Sequence, residues 1–312
     1  MTEQQKRILI TGGAGFIGSH LVDRLIKEGH QVVVVDKLYT GKKKNLNPKA
    51  KFYQFDIQNR KVFNIFKREK PDIVYYLSGP INLRRKIDDP LFEKSLNILG
   101  SFKKILDYSH SLEIKKFVFI SSGGAIYEEA NIIPTSENYP ASPTSIYGLA
   151  NLIMEKFLEE YSKAHHLNFI ILRLSNVYGP RQWKSGIIPS FITSLLKNKS
   201  SIIYGNGKQT RDFIYIDDAV EAMIVAAKIK EKEIFNVGSG REVSINQLYK
   251  KIAKILDKKI EPKYFLSQNV EIKRSALDFS KIKKNLGWQP KYDLERGLKE
   301  TIKWFARQNF PK

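Results

Sequence analysis

The nine residues ITGGAGFIG, 10–18, constrain this chain more than any other stretch. They join a short β-branched run, RILI at 7–10, to a helix-like segment at 16–28 closed by Gly29, and a second apolar run, QVVVV at 31–35, follows. Strand, glycine turn, helix and strand in that order make a βαβ unit. Gly12, Gly15 and Gly18 permit a tight turn, close approach of backbone to a pyrophosphate, and close packing of helix on strand. The helix N-terminus then faces the phosphates with its free N–H groups. Asp36 ends the second strand 18 residues after Gly18 and is expected at an exposed strand end. Its carboxylate can accept both adenosine ribose hydroxyls and would repel a 2′-phosphate, which favours NAD over NADP. At such an exposed end Asp36→Ala would weaken NAD binding far more than folding. Lys37 and the lysines after it keep NADP as the alternative.

The alternation continues along the chain. Strands are expected at 51–55, 72–77, 117–121 and 169–174, with helices at 60–67, 89–110 and 147–165. Strands alternating with helices imply a parallel sheet covered on both faces. The expected fold class is therefore α/β, a Rossmann-type doubly wound parallel sheet with a smaller C-terminal α/β substrate domain. Residues 1–175 would form the NAD-binding domain, rejoined by about 212–240, because 235–238 reads as one more sheet strand. Residues 176–312 would form the second domain. There Pro180, Pro189, Gly205, Gly207, Pro262 and Pro290 break the pattern into short pieces, with helices near 245–256 and 294–308.

Composition limits the function classes. The chain has 312 residues, 42% hydrophobic and 27% charged, ordinary for a globular protein. No apolar run approaches the roughly 20 residues that span a bilayer. The start MTEQQKRILITGG lacks an apolar signal core and reads as a mature N-terminus. With no cysteine there is no disulfide, thiolate metal site or Cys nucleophile, which fits a cytoplasmic location. No metal is called for. The 53 Lys+Arg against 32 Asp+Glu give a net charge of +21. The basic residues are spread out, the densest run being Lys42, Lys43 and Lys44, with Lys103 and Lys104 on an exposed helix face. Without zinc-finger spacing or an aromatic-basic motif, this reads as a solvated surface and not a nucleic-acid site.

Seven motifs in order give the chain a resemblance that runs almost end to end. They are GGAGFIGSHL (12–21), VDKLYTGKKKNL (35–46), ISSGGAIY (120–127), LRLSNVYGPRQ (172–182), GNGKQTRDFIYIDDAVEA (205–222), FNVGSG (235–240) and DFSKIKKNLGWQPKYDLERGLKETIKWF (278–305). On these the chain resembles the extended short-chain dehydrogenase/reductases of the NAD-dependent epimerase/dehydratase family, closest to UDP-glucose 4-epimerase-like proteins. The resemblance implies a nucleotide-sugar 4-epimerase, most simply acting on UDP-sugars, that works by transient oxidation at C4. It implies a cofactor site of Gly12, Gly15, Phe16, Ile17 and Gly18, with Asp36 on the ribose and Asp56 and Ile57 at the adenine. Leu77, Ser78 and Gly79 would lie beside the ribose and pyrophosphate, with Asn97 as support. Asn176, Arg211 and Arg274 would hold the sugar nucleotide. It also implies a homodimer through helices at about 90–108 and 147–163, the second carrying Leu152, Ile153, Phe157, Leu158 and Tyr161.

In this family a tyrosine takes the C4 hydroxyl proton while the hydride goes to the nicotinamide, with a Ser or Thr bridging. Tyr147 is that tyrosine by resemblance. The usual lysine four residues on, which lowers the tyrosine pKa and holds the nicotinamide ribose, is replaced by Asn151. Residues i and i+4 share a helix face, so Asn151 can keep a ribose hydrogen bond but brings no charge. Lys156, nine residues on, points elsewhere. Aligned on Tyr127, the bridging position falls on Gly123, leaving Ser122 or Ser121, of which Ser122 is expected to act. The family's Arg-x-Gly-Asp is Gln268-Asn269-Val270-Glu271, without the arginine. These losses keep a second reading open, a catalytically weak or inactive protein that binds NAD or a nucleotide sugar. A third, a 4,6-dehydratase or decarboxylase, is disfavoured because Gly123 and Gly124 stand where those relatives carry an acid.

Overall fold

The computed structural model describes residues 5–79, 91–127, 130–183, 186–266 and 272–308, and of 91–97 only the helical backbone. In chain order the elements are β1 (Arg7–Thr11), α1 (Phe16–Lys27), β2 (Gln31–Val35), β3 (Lys51–Tyr53), α2 (Lys61–Glu69), β4 (Ile73–Tyr76), α3 (Leu91–Ser111), β5 (Lys116–Ser122), α4 (Gly123–Ile126), α5 (Ile146–His165), β6 (Phe169–Leu174) and β7 (Asn176–Tyr178). There follow α6 (Ile187–Leu196), β8 (Ile202–Tyr204), β9 (Thr210–Arg211), β10 (Phe213–Tyr215), α7 (Ile216–Ala227), β11 (Glu233–Val237), β12 (Val243–Ser244), α8 (Ile245–Ile255), β13 (Lys263–Phe265), α9 (Ser280–Leu286) and α10 (Leu294–Ala306).

Seven strands form one parallel sheet in the order β11-β6-β5-β4-β1-β2-β3. The apolar runs are continuous because successive side chains enter opposite cores. Val32 and Val34 join Leu21, Val22, Leu25, Ala219 and Met223 under α1 and α7. Val33 and Val35 join Phe66, Phe102, Met154 and Leu158 under α2, α3 and α5. The strand expected at 235–238 is β11, which pairs with β6 and extends the first sheet from late in the sequence.

The order of strands reverses between β1 and β4. In an open parallel sheet the carboxyl ends of the strands at such a reversal form a ligand crevice. The segments leaving those ends are the glycine turn after β1, Asp36 after β2, Leu77–Gly79 after β4, and Ser122, which ends β5. Asn176 follows β6 by two residues at the same edge.

The stretch after residue 175 is more helical than the sequence suggests. Pro189 reads as a break, yet it lies in the first turn of α6, where its missing N–H would have had no helical partner. The α7 helix escapes notice because Ile216, Ala219, Val220, Ala222, Met223, Ile224, Ala226 and Ala227 bury it on most sides, leaving no polar stripe. Three two-stranded pairs, β7 with β10, β9 with β12 and β8 with β13, complete this region among the described residues. No helix of the described residues is long and apolar enough to cross a membrane.

Candidate active site

The glycine turn closes as its sequence requires. Gly12 has φ +74, and a Cβ there would press within 3.1 Å of the Leu77 carbonyl group. Gly18 lies against the turn so closely that a Cβ would stand 2.3 Å from Gly12 O. Helix α1 begins after Gly15 with no side-chain cap, so the first-turn N–H groups at Phe16, Ile17 and Gly18 keep no side-chain partner from the cap position. That is the arrangement that receives a phosphate. Asp36 corrects one expectation. It is not an exposed strand end but only 9% exposed. Its Oδ2 accepts the Ala14 N–H at 3.0 Å and its Oδ1 the Leu38 N–H at 2.7 Å. Each carboxylate oxygen keeps a second lone pair for a ribose hydroxyl. The group therefore holds the turn together as well, and Asp36→Ala would loosen the fold along with the cofactor. Lys37 pairs with Asp56 at 3.0 Å in a solvent-exposed ion pair. Asp56 Oδ1 accepts the Gln58 N–H, Ile57 is half-buried on the apolar core, and Ser78 N–H approaches Thr11 Oγ1 at 3.4 Å. The side chain of Asn97 lies outside the described residues.

Tyr147 sits in the first turn of α5. Ser145 caps that helix, its Oγ accepting the Gly148 N–H at 3.1 Å. Gly148 is the residue that lets the turn approach α4. A Cβ there would lie 2.1 Å from the Ala125 carbonyl oxygen and 2.8 Å from Pro143 Cβ. Because α4 directly follows Ser122, this close approach brings Tyr147 to Ser122. Gly148→Ala is expected to fold with a loss of about 1–3 kcal/mol from overpacking. It should lower turnover by about a hundredfold as the tyrosine shifts. Denaturant unfolding and steady-state rates check this together.

The tyrosine environment is the chemical centre of the site. Burial pushes the Tyr147 phenol above its ordinary value, and hydrogen bonds from Ser122 and Asn151 pull it partly back. No cation enters this balance among the described residues. Asn151 is 3% exposed, and its Nδ2 donates to the Tyr147 main-chain carbonyl at 2.8 Å. Lys156 is exposed and pairs with Glu159 at 2.8 Å. Of the two serines left open by the sequence, Ser122 is the one beside the tyrosine, whereas Ser121 Oγ is buried without a hydrogen-bond partner among the described residues.

The structure also shows a buried frame that sequence reasoning missed. Glu155, one turn beyond Asn151, takes Arg173 of β6 with Nε at 3.0 Å and Nη2 at 2.5 Å. Arg173 Nη1 donates to the Tyr127 hydroxyl, and that hydroxyl donates to Asn236 Oδ1 of β11 at 3.3 Å. Helix α5 is thereby tied to β6, β11 and the segment after Ser122. The signal was present as an acid on the inner face of α5 and an arginine inside an apolar strand, since charges in such places are paired.

The expected substrate residues occupy one region with different engagements. Asn176 Nδ2 donates to Asp212 O at 3.1 Å, and the position of a Cβ on Gly124 would lie 3.8 Å from that nitrogen. Arg211 Nη1 donates to the Thr210 and Ile272 carbonyls, both at 2.7 Å. Arg274 is paired with Glu242 at 2.5 Å and is largely exposed. Residues 268–271, expected to replace the arginine motif, lie outside the described residues.

The sequence pattern of the NAD dependent epimerase/dehydratase family matches residues 8–238. The chain belongs to the NAD dependent epimerase/dehydratase family. A putative UDP-glucose 4-epimerase of Methanocaldococcus jannaschii is 40% identical over 305 residues, covering 97% of this chain and 99% of the relative. The Thermotoga maritima UDP-glucose 4-epimerase crystallised with UDP-glucose superposes with a TM-score of 0.93 at 38% identity, covering 96% and 99% of the two chains. A UDP-N-acetylglucosamine 4-epimerase of Methanobrevibacter ruminantium, in complex with UDP-N-acetylmuramic acid, superposes at 0.91 with 32% identity, covering 97% and 99%. The glycine turn, uncapped α1 and lone pairs of Asp36 fit the cofactor that gives the family its name.

Proposed function

We propose that this protein is an NAD-dependent UDP-sugar 4-epimerase whose tyrosine base works without the usual lysine. The observation that carries this reading is Tyr147 in the first turn of α5, with Asn151 bonded to its main-chain carbonyl and Ser122 beside it at the end of β5, on the crevice side of a sheet that also bears the dinucleotide turn. When bound, NAD would take the hydride from the sugar C4 and return it. The backbone of Gly12, Gly15, Phe16, Ile17 and Gly18 would hold its pyrophosphate and Asp36 its adenosine ribose. Asp56, Ile57, Leu77, Ser78, Gly79 and Asn97 would line the rest. Tyr147 would remove the C4 hydroxyl proton, Ser122 would bridge the hydroxyl and the phenol, and Asn151 would donate to the phenolate. The Asn151 carboxamide oxygen would accept from the nicotinamide ribose. Asn176 and Arg211 would hold the sugar nucleotide, and Arg274 would join them only on leaving Glu242.

Residues 1–175 with β11 form the cofactor unit in this reading, and 176–312 supplies the substrate side. The reading places the enzyme in the cytoplasm, in keeping with a chain that has no cysteine. It is tested by releasing the cofactor on denaturation and by incubating the protein with UDP-glucose, UDP-N-acetylglucosamine and the uronic acid forms. NAD in the released fraction and C4 inversion of at least one sugar are expected. Bound NAD with no inversion of any of them would favour the second reading, a binding protein on this scaffold.

The enzyme is a homodimer in this reading. Leu149, Ile153 and Phe157 are 48%, 41% and 38% exposed at i, i+4 and i+8 on α5, which packs beside α3. A helix stripe of that kind is apolar surface left uncovered within one copy. Leu158, by contrast, belongs to the intramolecular core. Ile153→Asp with Phe157→Asp is expected to turn a dimer into a monomer by light scattering at micromolar concentration. A wild-type monomer would refute the assignment.

A further inference from the structure

The segment 37–47, between β2 and β3, is fastened over the glycine turn at its near end. Asp36 accepts the N–H groups of both Ala14 and Leu38. Lys42 N–H donates to the Ala14 carbonyl at 3.0 Å. Gly41 lies so near that a Cβ on it would stand 2.9 Å from the Ala14 Cβ. At its far end Asn47 Nδ2 donates to Asp23 Oδ1 of α1 at 2.9 Å.

A second segment crosses this one from after β7. Arg181 Nη2 reaches the other oxygen of Asp23 at 2.7 Å, and its Nη1 donates to the Asn45 carbonyl at 3.4 Å. The Pro180 carbonyl is 2.9 Å from His20 Nε2 on α1, and the Lys42 ammonium stands 5.7 Å over the Trp183 ring. Arg181 holds φ +65, in the left-handed region that a long side chain rarely adopts. Such a conformation persists only where surrounding contacts fix it.

We propose that Arg181 is a positioning residue for the dinucleotide: it fastens 37–47 across the glycine turn and so slows the escape of NAD. The inference rests on the epimerase reading for the identity of the cofactor. A dinucleotide in the turn has its pyrophosphate at 12–18 and its adenosine ribose at Asp36, the two places where the segment is attached, at Ala14 and Asp36. Arg181 touches none of this directly. It acts by joining α1 and 37–47 through one shared carboxylate. The arrangement couples cofactor retention to the part of the chain that follows β7. An enzyme that oxidises and re-reduces its substrate within one turnover gains from a cofactor that stays.

The test measures NAD release from the holoprotein into an excess of a competing binder. Arg181→Ala is expected to release NAD about fivefold faster or more, equivalent to about 1 kcal/mol. Asp23→Ala should do the same. The double variant should be faster by less than the product of the two singles, because both remove the shared Asp23–Arg181 contact while each also removes one of its own. Reversing the pair, Asp23→Arg with Arg181→Asp, should restore part of the retention. The rate constant at saturating NAD and the unfolding temperature of the NAD-stripped protein should move little. Arg181→Ala with wild-type release overturns this inference alone. So does faster release that tracks an equal loss of stability in the stripped protein and is not restored by the reversed pair. A wild-type protein that binds no NAD overturns the epimerase reading with it.

Discussion

Tyr147→Phe is expected to lower C4 inversion by at least about a thousandfold while the protein still folds and still carries NAD. General-base catalysis by a positioned side chain is worth about 10²–10⁴ in rate. Among the described residues of this site, none stands ready as a second base to replace the phenol. A serine hydroxyl is no base at neutral pH, and the Asn151 carboxamide cannot take a proton. Tyr127 is the other tyrosine near this frame, but it is buried and engaged by Arg173 and Asn236. The substitution removes one oxygen from a first-turn residue whose helix is held by the Ser145 cap and by the Glu155–Arg173 pair. Its effect should therefore fall on turnover, with unfolding temperature and NAD content near wild type. A variant with wild-type rates would remove Tyr147 from the chemistry.

Asn151→Lys is expected to raise turnover at neutral pH by about tenfold or more and to move the pH–rate profile toward neutral. An unassisted tyrosine titrates near ~10. Burial raises that of Tyr147 further, and the Ser122 and Asn151 hydrogen bonds offset only part of the rise. The reactive form is the phenolate, so the active fraction grows as pH climbs toward the tyrosine pKa. A lysine on the same face would lower that pKa by charge, and each unit is about 1.4 kcal/mol. The new side chain enters a position only 3% exposed, one turn from Glu155. Glu155 is already held by two nitrogens of Arg173, which limits its capture of the new charge. The signature is the coupled change in rate and pH profile. An altered rate with an unchanged profile would indicate repacking and not electrostatics.

Much of the fold was legible because strand and helix periods are strong signals where both sheet faces are buried. QVVVV reads as a strand at once, and the structure places alternate valines in the two cores. The glycine turn was legible because Gly12 holds φ +74 and a Cβ on Gly18 would stand 2.3 Å from Gly12 O, neither of which a larger residue meets. Less was legible where the signal is a contact between distant segments. Asp36 looked like an exposed carboxylate because its Ala14 partner is 22 residues back, across the turn. Pro189 looked like a break because a proline in the first turn of a helix and a proline between helices read alike in sequence. Gly148 stood beside the catalytic tyrosine but gave no hint of Ala125, and the Arg173–Tyr127 contact joins residues 46 apart. The absent lysine at 151 was plain from the sequence. What the structure adds is that Asn151 is buried and spends a donor on the Tyr147 main-chain carbonyl, while burial raises the phenol.

The most direct test is the pH–rate profile of C4 inversion by the wild-type protein, measured with saturating NAD on whichever UDP-sugar it converts. With Tyr147 raised by burial and given no charged side chain among the described residues, the rate should be low at neutral pH. It should keep rising through the alkaline range, toward the tyrosine's own titration, for as long as the protein stays folded. A profile already flat by pH ~7 would contradict the account, since in this reading the lysine's charge is absent and no other charged side chain is given to the phenolate.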